Sequence, residues 1–308
     1  MIRAKNIHKW YGSQHVLHDI SFEIQEGEIV GFLGHNGAGK TTLMRILTNY
    51  SKMSDGALYI DNVLISKNTI HLREKIGYLS ENPPLYPHMT VNEFLMFAVH
   101  LKNVVRKNQR RQLEKVLDQC QLRDVQNKVI ATLSKGYCQR VGIAQAIIND
   151  PDILILDEPT VGLDPCQILE VRQLIKSLEK KRTVLLSTHI LSEIEQMAQR
   201  VIILRSGKIV ADAAIEELTS GGENRHKLKL RLRGDPARIE TILKEHAGVE
   251  IEAFEAGADG VCCVLRQDIS LSNGNKLFEQ LLREQVEILA VDTVKHSLED
   301  VFLTYNRK

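Results

Sequence analysis

The sequence lacks the features that mark membrane-spanning and secreted proteins. No run approaches the roughly 20 apolar residues that cross a bilayer, and the longest apolar runs, such as Phe94–Val99, have the size of core segments. The first ten residues, MIRAKNIHKW, contain no apolar segment of the kind found in a secretory signal. We therefore predict a chain with neither a membrane span nor a signal peptide.

The net charge is also close to zero, and the cysteines form no recognisable pairs. Lys and Arg number 40 and Asp and Glu 39, so the net charge is +1, and no nucleic-acid partner is expected. Five cysteines form no CxxC pair and no metal-ligand spacing, which predicts reduced thiols in a cytoplasmic protein. With 43% apolar and 26% charged residues, the 308 residues suffice for about two globular domains.

The first part of the chain, residues 1–220, has the pattern of an α/β domain. Short apolar runs at Glu28–Leu33, Ile153–Leu156, Thr183–Ser187 and Val201–Leu204 predict buried strands that alternate with helices. The span from about residue 91 to 148 is rich in helical patterns. Within it, the polar segment 102–112 is predicted to be a solvated helix face or loop.

A cluster of helix breakers, TSGGEN at 219–224, separates this domain from residues 221–308. Strict alternation in KLKLRLR at 227–233 predicts a half-buried strand. Further on, we predict a helix over 236–247, a hairpin from 249–254 and 261–265, a helix over 275–283, a strand over 287–291 and a last helix over 297–305. The order β-α-β-β-α-β is that of a small α+β ferredoxin-like unit.

A glycine-rich phosphate loop is the clearest motif. GHNGAGKT at 34–41 matches G-x-x-x-x-G-K-[ST] and lies between a predicted strand and a predicted helix, the context that distinguishes it from a chance glycine-rich turn. Lys40 can reach the β- and γ-phosphates, Thr41 can bind Mg²⁺, Thr42 can bond a phosphate oxygen, and His35 is taken as a spacer. The residues expected to bind the nucleotide here are Gly34, His35, Asn36, Gly37, Ala38, Gly39, Lys40, Thr41 and Thr42.

Two acidic residues end a predicted buried strand in ILILDEPT at 153–160. Ligands of α/β sheets bind at such carboxyl ends. Asp157 can hold Mg²⁺, and Glu158 can activate a water molecule as general base. Taken alone, the pair is also compatible with a surface strand end capped by acids. Together with the phosphate loop, it predicts nucleotide hydrolysis.

Five further segments complete a resemblance to a known family. They are KWYG with Tyr11, GYLSE at 77–81, LSKGY at 133–137, GLDP at 162–165 and STH at 187–189. With the two motifs above they resemble, in order and spacing, the ATP-binding subunits of ABC transporters, over roughly residues 2–218. The resemblance implies a P-loop ABC ATPase cassette, with a mixed-sheet core and a helical subdomain at about 91–148.

The resemblance also assigns roles. Tyr11 would stack on adenine, and His189 would bind the γ-phosphate beside the catalytic residues Lys40 and Glu158. Ser134 and Gly136 would contact ATP held by an opposite protomer, and Asp164 would act across that interface. The plain alternative for Ser134 and Gly136 is a helix N-cap. For Asp164 it is a turn, and for Tyr11 a core tyrosine. The arrangement implies a homodimer, or a heterodimer with a sister ATPase.

The sequence departs from the family pattern at four positions. Glu81 replaces the usual glutamine and could bind Mg²⁺ or orient water. Lys135 and Tyr137 stand where glycine and glutamine are usual, and Cys138 where a cation is frequent. Glu81 and the SKGY segment resemble the ATPases of ABC-2 type exporters, including those linked to gliding motility and nitrous-oxide-reductase maturation.

The resemblance therefore implies a peripheral ATPase on the cytoplasmic face of the cell membrane. It would hydrolyse ATP with Mg²⁺ and power a separate integral membrane permease, which it would contact through residues 82–99. The C-terminal domain would serve dimerisation or regulation. The alternative is a soluble ABC ATPase that acts on ribosomes or DNA, although ribosome-acting members usually carry two cassettes and this chain has one.

Overall fold

The computed structural model describes residues 1–179, 182–219, 225–246, 249–257, 260–268, 271–294 and 302. They belong to two compact units, Met1–Ala213 and Ala214–Lys308. The division falls slightly before residue 220, the predicted end of the first domain.

The first unit alternates strands and helices along the chain. Four short 3₁₀ segments, at 67–75, 106–108, 123–125 and 130–132, connect some of them. In chain order, the strands and helices are β1 (Ile2–Tyr11), β2 (Gln14–Ile24), β3 (Ile29–Leu33), α1 (Lys40–Leu47), β4 (Asp55–Ile60), β5 (Val63–Leu64), β6 (Ile76–Leu79), α2 (Val91–Leu101), α3 (Gln109–Gln119), α4 (Lys135–Ile147), β7 (Ile153–Asp157), α5 (Pro165–Glu179), β8 (Thr183–Thr188), α6 (Leu191–Met197), β9 (Arg200–Arg205) and β10 (Lys208–Ala214).

Two sheets share one core in this unit. The larger sheet has the order β10-β9-β3-β8-β7-β6, and the pairs β9–β3, β3–β8, β8–β7 and β7–β6 are parallel. The smaller sheet, β2-β1-β4-β5, is antiparallel. Residues of α1 pack in one hydrophobic cluster with residues of both sheets. The predicted α/β cassette architecture is confirmed.

The parallel strands determine where a site can form. Every residue of β3, β7 and β8 is buried, as expected of parallel strands covered on both faces. The pairs β3–β8 and β7–β8 are parallel, so their carboxyl ends lie at the same edge of the sheet. The chain leaves that edge at Gly34, Glu158 and His189.

The helical segment, residues 91–148, begins with a capped helix and contains an unexpected buried lysine. Thr90 and Glu93 form a reciprocal capping box at the start of α2. Lys102, which we predicted to lie in a solvated segment, instead buries its amine. Its Nζ donates to the carbonyl of Ala146 at 3.0 Å and to Asn149 Oδ1 at 3.2 Å, and burial lowers the pKa of Lys102 to about 8. The prediction of solvation is wrong at this residue.

The second unit has the strand order of a ferredoxin-like fold. All neighbours in its sheet are antiparallel, in the order β12-β13-β11-β14, and leucines of β11 share a core with residues of α8 and α9. This agrees with the predicted β-α-β-β-α-β order; the predicted helix over 297–305 lies outside the described residues except for residue 302. The elements are α7 (Ile215–Thr219), β11 (Arg225–Arg233), α8 (Pro236–Glu245), β12 (Val249–Gly257), β13 (Gly260–Asp268), α9 (Leu271–Arg283) and β14 (Glu287–Val294).

The cysteines differ in exposure. All five are free thiols; Cys120 and Cys263 are buried, whereas Cys166, the second residue of α5, is exposed. Burial raises the pKa of Cys120 to about 12 and that of Cys263 to about 11. Of the helices that the structure describes, none is long and apolar enough to span a membrane.

Candidate active site

The phosphate loop joins the buried strand β3 to the N-terminus of α1. Gly37 and Gly39 have φ angles of +81° and +104°, a region that glycine enters without the steric penalty of a Cβ. A Cβ added to Gly39 would also lie 2.7 Å from Leu17 Cδ2. The two glycines allow the backbone to turn tightly ahead of a helix N-terminus, where N–H groups and the helix dipole favour an anion.

Lys40 places a buried cation inside this loop. Its side chain is 5% exposed, and its Nζ donates to the carbonyl oxygens of Gly34 at 2.7 Å and His35 at 3.3 Å. The same Nζ lies 3.3 Å from Glu158 Oε1. The loop backbone therefore holds the ammonium group next to the acidic end of β7.

Asp157, at that end, is completely buried and has an unusual set of partners. Its Oδ1 accepts hydrogen bonds from Ser187 Oγ and, at 3.3 Å, from Thr41 Oγ1. Its Oδ2 is buried without a hydrogen-bond partner. Burial raises the pKa of Asp157 above its usual range, against the effect of these two hydrogen bonds.

The unpartnered oxygen of Asp157, beside the hydroxyl of Thr41, fits a Mg²⁺ ion. Mg²⁺ prefers oxygen ligands and is commonly held by one or two carboxylates together with substrate phosphates. Within the described residues, no group of three or more His, Cys, Asp or Glu side chains is placed to hold a metal ion. This agrees with a site whose remaining ligands are phosphate and water oxygens.

Glu158 connects Lys40 to His189. Its backbone has a φ of +49°, rare for a residue other than glycine, and its N–H donates to the carbonyl of Ser187 at 3.0 Å. Its Oε2 lies 2.8 Å from His189 Nδ1, while its Oε1 faces Lys40 Nζ. A carboxylate fixed between a cation and an imidazole at the mouth of a phosphate loop can accept a proton from a water molecule.

Most predicted nucleotide-binding residues meet in one cleft of about 460 Å³, which we call the phosphate-loop cleft. Tyr11, at the end of β1, is 46% exposed, and its ring lies 4.8 Å from Lys9 Nζ. The predicted residues that line the cleft are Tyr11, Asn36, Gly37, Gly39, Lys40, Thr41, Thr42, Glu81, Glu158 and His189. Asp157 lines a second cavity of about 480 Å³, together with Thr41 and Glu81.

Three residues of the loop stand apart from the cleft lining. Gly34 and Ala38 are buried within the loop, and the side chain of His35 is exposed. The His35 carbonyl nevertheless accepts from Lys40, as described above. The backbone of His35 thus contacts Lys40, and the role of His35 as a spacer stays a prediction.

The three residues expected to act on the ATP of an opposite protomer, Ser134, Gly136 and Asp164, do not line the cleft, and their segments lie next to each other. Ser134 caps α4 by accepting from Tyr137 N at 3.4 Å, and Asp164 caps α5 by accepting from Gln167 N at 2.9 Å. A Cβ added to Gly136 would lie 2.7 Å from Gln167 Cδ. Within one chain, all three residues lie at the start of a helix. A helix N-cap is the plain alternative that the sequence offers for Ser134 and Gly136.

Sequence reasoning missed several residues around the site. Ser187, which binds Asp157, carries a local signal because it is a hydroxyl residue at the end of the apolar strand β8. Gln14, Val16 and Val161 line the cleft without any motif to single them out. These residues reach the site through tertiary packing.

Replacing Asp157 by asparagine is expected to raise the thermal unfolding midpoint, measured at neutral pH without Mg²⁺, by a few degrees. The folded-state pKa of Asp157 is raised by burial, so this carboxyl favours the folded state when protonated, and that contribution is lost as pH rises through the folded-state pKa. The gain should therefore vanish under acid conditions. Thermal unfolding of Asp157→Asn across pH measures it, with Asp124→Asn, an exposed aspartate in a 3₁₀ turn, as the control. A lower midpoint at neutral pH would contradict the interpretation.

Comparisons of the sequence with known proteins all find similarity to ABC transporter proteins. The family described as "ABC transporter" matches residues 17–161. The chain is 34% identical over 305 residues to the bacitracin transport ATP-binding protein BcrA of Bacillus licheniformis, covering 98% of this chain and 96% of the relative. It is 37% identical over 220 residues to BcrA of Enterococcus faecalis, covering 71% and 70%.

Solved structures show the same similarity. One, described as an ATP binding subunit of an ABC transporter, aligns with a TM-score of 0.64 and 30% identity, covering 71% of this chain and 91% of the neighbour. A dimeric ATP-binding cassette in a post-hydrolysis state, bound to ADP and Pi, aligns with a TM-score of 0.63 and 28% identity, covering 70% and 99%.

Proposed function

The chain belongs to the ATP-binding subunits of ABC transporters, and from this premise we propose that it is the ATPase of an ABC-2 type exporter, driving a separate membrane permease. It is an ATPase that uses ATP with Mg²⁺. The observation that carries the proposal is the contact series Lys40–Glu158–His189 at the mouth of the phosphate-loop cleft. Glu81 and the SKGY segment support the exporter subgroup, and the bacitracin transport relatives make bacitracin the first cargo to test.

Most of the predicted residues that line the cleft have a proposed role in ATP binding or hydrolysis. Tyr11 stacks on the adenine ring, the phosphate-loop backbone and Lys40 bind the phosphates, and Thr41 and Asp157 hold Mg²⁺, with Glu81 beside them. Bound Mg²⁺ neutralises charge on the phosphate oxygens.

Two further residues act on the hydrolytic step. Glu158 takes the proton of the attacking water, and His189 donates a hydrogen bond to the γ-phosphate while its other ring nitrogen contacts Glu158.

A dimer explains the residues that lie outside the cleft. Ser134 and Gly136 lie at the start of α4 and do not line the cleft of their own chain, and Asp164 lies at the start of the neighbouring α5. We assign all three to the ATP of a second subunit, in a homodimer or a heterodimer. ATP would then close two subunits over two nucleotides, and hydrolysis would reopen them.

An exposed aromatic surface follows Glu81 and suits a helix of a permease. Tyr86 is 47% and Phe97 38% exposed, and their ring centroids lie 5.5 Å apart. Phe94 contacts Tyr86 from below, with ring centroids 5.9 Å apart. Exposed aromatic rings are typical of protein interfaces. Because Glu81 lines the cleft, we propose that this surface connects a permease to the nucleotide and that the subunit binds at the cytoplasmic face of the membrane.

Affinity capture tests the function and this surface together. Glu158→Gln, added with ATP and Mg²⁺ to detergent-solubilised membranes, is expected to retain a polytopic membrane protein identified by mass spectrometry. Adding Tyr86→Ala should lower the yield of that partner by about tenfold, the loss of a single interface aromatic, without lowering ATP binding. Tyr59→Ala, a half-buried tyrosine of the antiparallel sheet, is the control. Recovery of ribosomal or DNA-repair proteins without a permease would support the soluble ABC ATPase instead.

The C-terminal unit is proposed to serve dimerisation or regulation. It has its own hydrophobic core, formed mostly by leucine, isoleucine and valine residues. A chain ending at Leu218 is expected to bind ATP like the full chain and to dimerise less on ATP addition. Light scattering in the Glu158→Gln background measures the change. Unchanged dimerisation and unchanged coupled transport would count against the proposal.

A further inference from the structure

Glu193 is a completely buried carboxylate that does not line the phosphate-loop cleft and has no role in the steps above. It occupies the first turn of the short helix α6, just after His189. Burying a charged group costs several kcal/mol unless hydrogen bonds and an opposite charge compensate. The residues that contact Glu193 therefore indicate its role.

Two threonine hydroxyls and one arginine surround the carboxylate. Oε2 accepts from Thr188 Oγ1 at 2.8 Å, and Oε1 accepts from Thr160 Oγ1. Arg172 of α5 places its Nη2 3.8 Å from Oε1, and its Nη1 donates to Gln196 Oε1 at 2.7 Å. The nearly buried guanidinium of Arg172 thus compensates the negative charge of Glu193, and each oxygen of the carboxylate accepts a hydrogen bond from a threonine.

The two threonines belong to the two segments that carry the reacting groups. Thr160 follows Glu158 by two residues, and Thr188 immediately precedes His189. Thr188 Oγ1 also accepts from Ile190 N at 3.1 Å, so it fixes the turn on the other side of His189. A single carboxylate therefore binds the chain next to the general base and next to the histidine.

The segments that carry these threonines also meet at the mouth of the cleft. Glu158 Oε2 and His189 Nδ1 are 2.8 Å apart, although they come from different strands. At the backbone, the Glu158 N–H is held by Ser187. Glu193 adds a second connection between the segments at the carboxyl ends of these two strands, through the side chains of Thr160 and Thr188.

We propose that Glu193 is a positioning residue for ATP hydrolysis, which holds Glu158 and His189 in their mutual geometry through Thr160 and Thr188. The inference rests on the proposed roles of Glu158 and His189. A displacement of about 1 Å in a reacting group can cost up to about 100-fold in rate. Loss of either hydroxyl should therefore lower kcat and leave ATP affinity largely unchanged, because neither threonine lines the cleft.

The test compares matched threonine-to-valine substitutions in the full chain. Thr160→Val and Thr188→Val each remove one bond to Glu193 and keep the side-chain volume close. Thr183→Val is the control: Thr183 is a buried residue at the other end of β8, whose Oγ1 accepts from Gly27 N at 3.0 Å and does not contact Glu193. Each variant is made in the parent and in the Glu158→Gln background. The measurements are kcat and KM for ATP with Mg²⁺, and the thermal midpoint.

In the parent, Thr160→Val and Thr188→Val are expected to lower kcat about tenfold and to change KM by less than about twofold. In the Glu158→Gln background, Thr160→Val should change the residual turnover by less than about twofold, because its effect passes through Glu158. Thr183→Val should lower the thermal midpoint while kcat stays near the parental value. If a valine variant fails to fold, Glu193→Gln, which keeps the shape and removes the charge, should give the same selective loss of kcat.

Two outcomes overturn the positioning role. One is a loss of kcat for Thr160→Val and Thr188→Val no larger than that of Thr183→Val. The other is an equal loss for Thr160→Val in both backgrounds, which indicates a purely structural effect. Failure of the proposed function gives a different result. In that case Glu158→Gln would hydrolyse ATP at the parental rate, independently of the effects of the threonine substitutions.

Discussion

Glu158→Gln is expected to lower ATP turnover by about 100-fold or more, the usual contribution of a general base, while ATP binding remains. The amide keeps the size of the carboxylate and an oxygen that can face Lys40, but it cannot take a proton from water. Since ATP binding and dimer closure precede hydrolysis in the proposed cycle, the variant should accumulate as an ATP-bound dimer. Turnover, nucleotide binding and light scattering measure the three effects on the same preparation.

Glu114→Gln, on the exposed face of α3, is the matched control and should behave like the parent in all three measurements. Parental turnover in Glu158→Gln would show that another group acts as the base. Loss of ATP binding would show instead that the carboxylate supports the phosphate loop.

Lys40→Ala is expected to lose ATP affinity by about 10- to 100-fold, because a hydrogen bond to a charged group contributes about 1.5–3 kcal/mol. Activity should fall with it. The substitution also removes the cation that faces the nearly buried Glu158, so the thermal midpoint should drop as well. Fluorescent-nucleotide titration and thermal unfolding measure the two effects.

Lys107→Ala, an exposed lysine of a 3₁₀ turn in the helical segment, is the control for removing one positive charge. It should leave both the affinity for ATP and the thermal midpoint at the parental values. Unchanged ATP binding in Lys40→Ala would overturn the role of the phosphate loop.

The sequence predicts most of the strands that pair in parallel, but neither β6 nor the antiparallel sheet. The strands β3, β7, β8 and β9 are short, continuous apolar runs because both of their faces are covered, and such runs are visible along the chain. The strands β1 and β2 carry a mixed pattern, with register shifts in their pairing and positive φ angles at Asn6 and Asp19. These irregularities interrupt the alternation from which a strand is predicted.

The same distinction between local and tertiary signals applies to the site. The phosphate loop, Asp157 and Glu158 were predicted because the chemistry and the turn lie within a few neighbouring residues. The bonds from Ser187 to Asp157 and from Thr160 to Glu193 join segments about 30 residues apart. Only the folded chain brings these partners together. Lys102 is a case in which the local sequence misleads. Its neighbours in the sequence are polar, yet its amine is buried and donates to the carbonyl of Ala146 in α4.

The exposure of Cys166 has a practical consequence. Burial raises the pKa of Cys120, Cys138 and Cys263 and slows their reaction with maleimides and methanethiosulfonates, whereas Cys166 lies exposed at the start of α5, two residues after Asp164. The natural sequence thus provides an attachment point for a fluorophore or spin label beside the expected subunit interface, once the partly exposed Cys262 has been replaced by serine. In a homodimer, the separation between two such labels would report opening and closing during turnover.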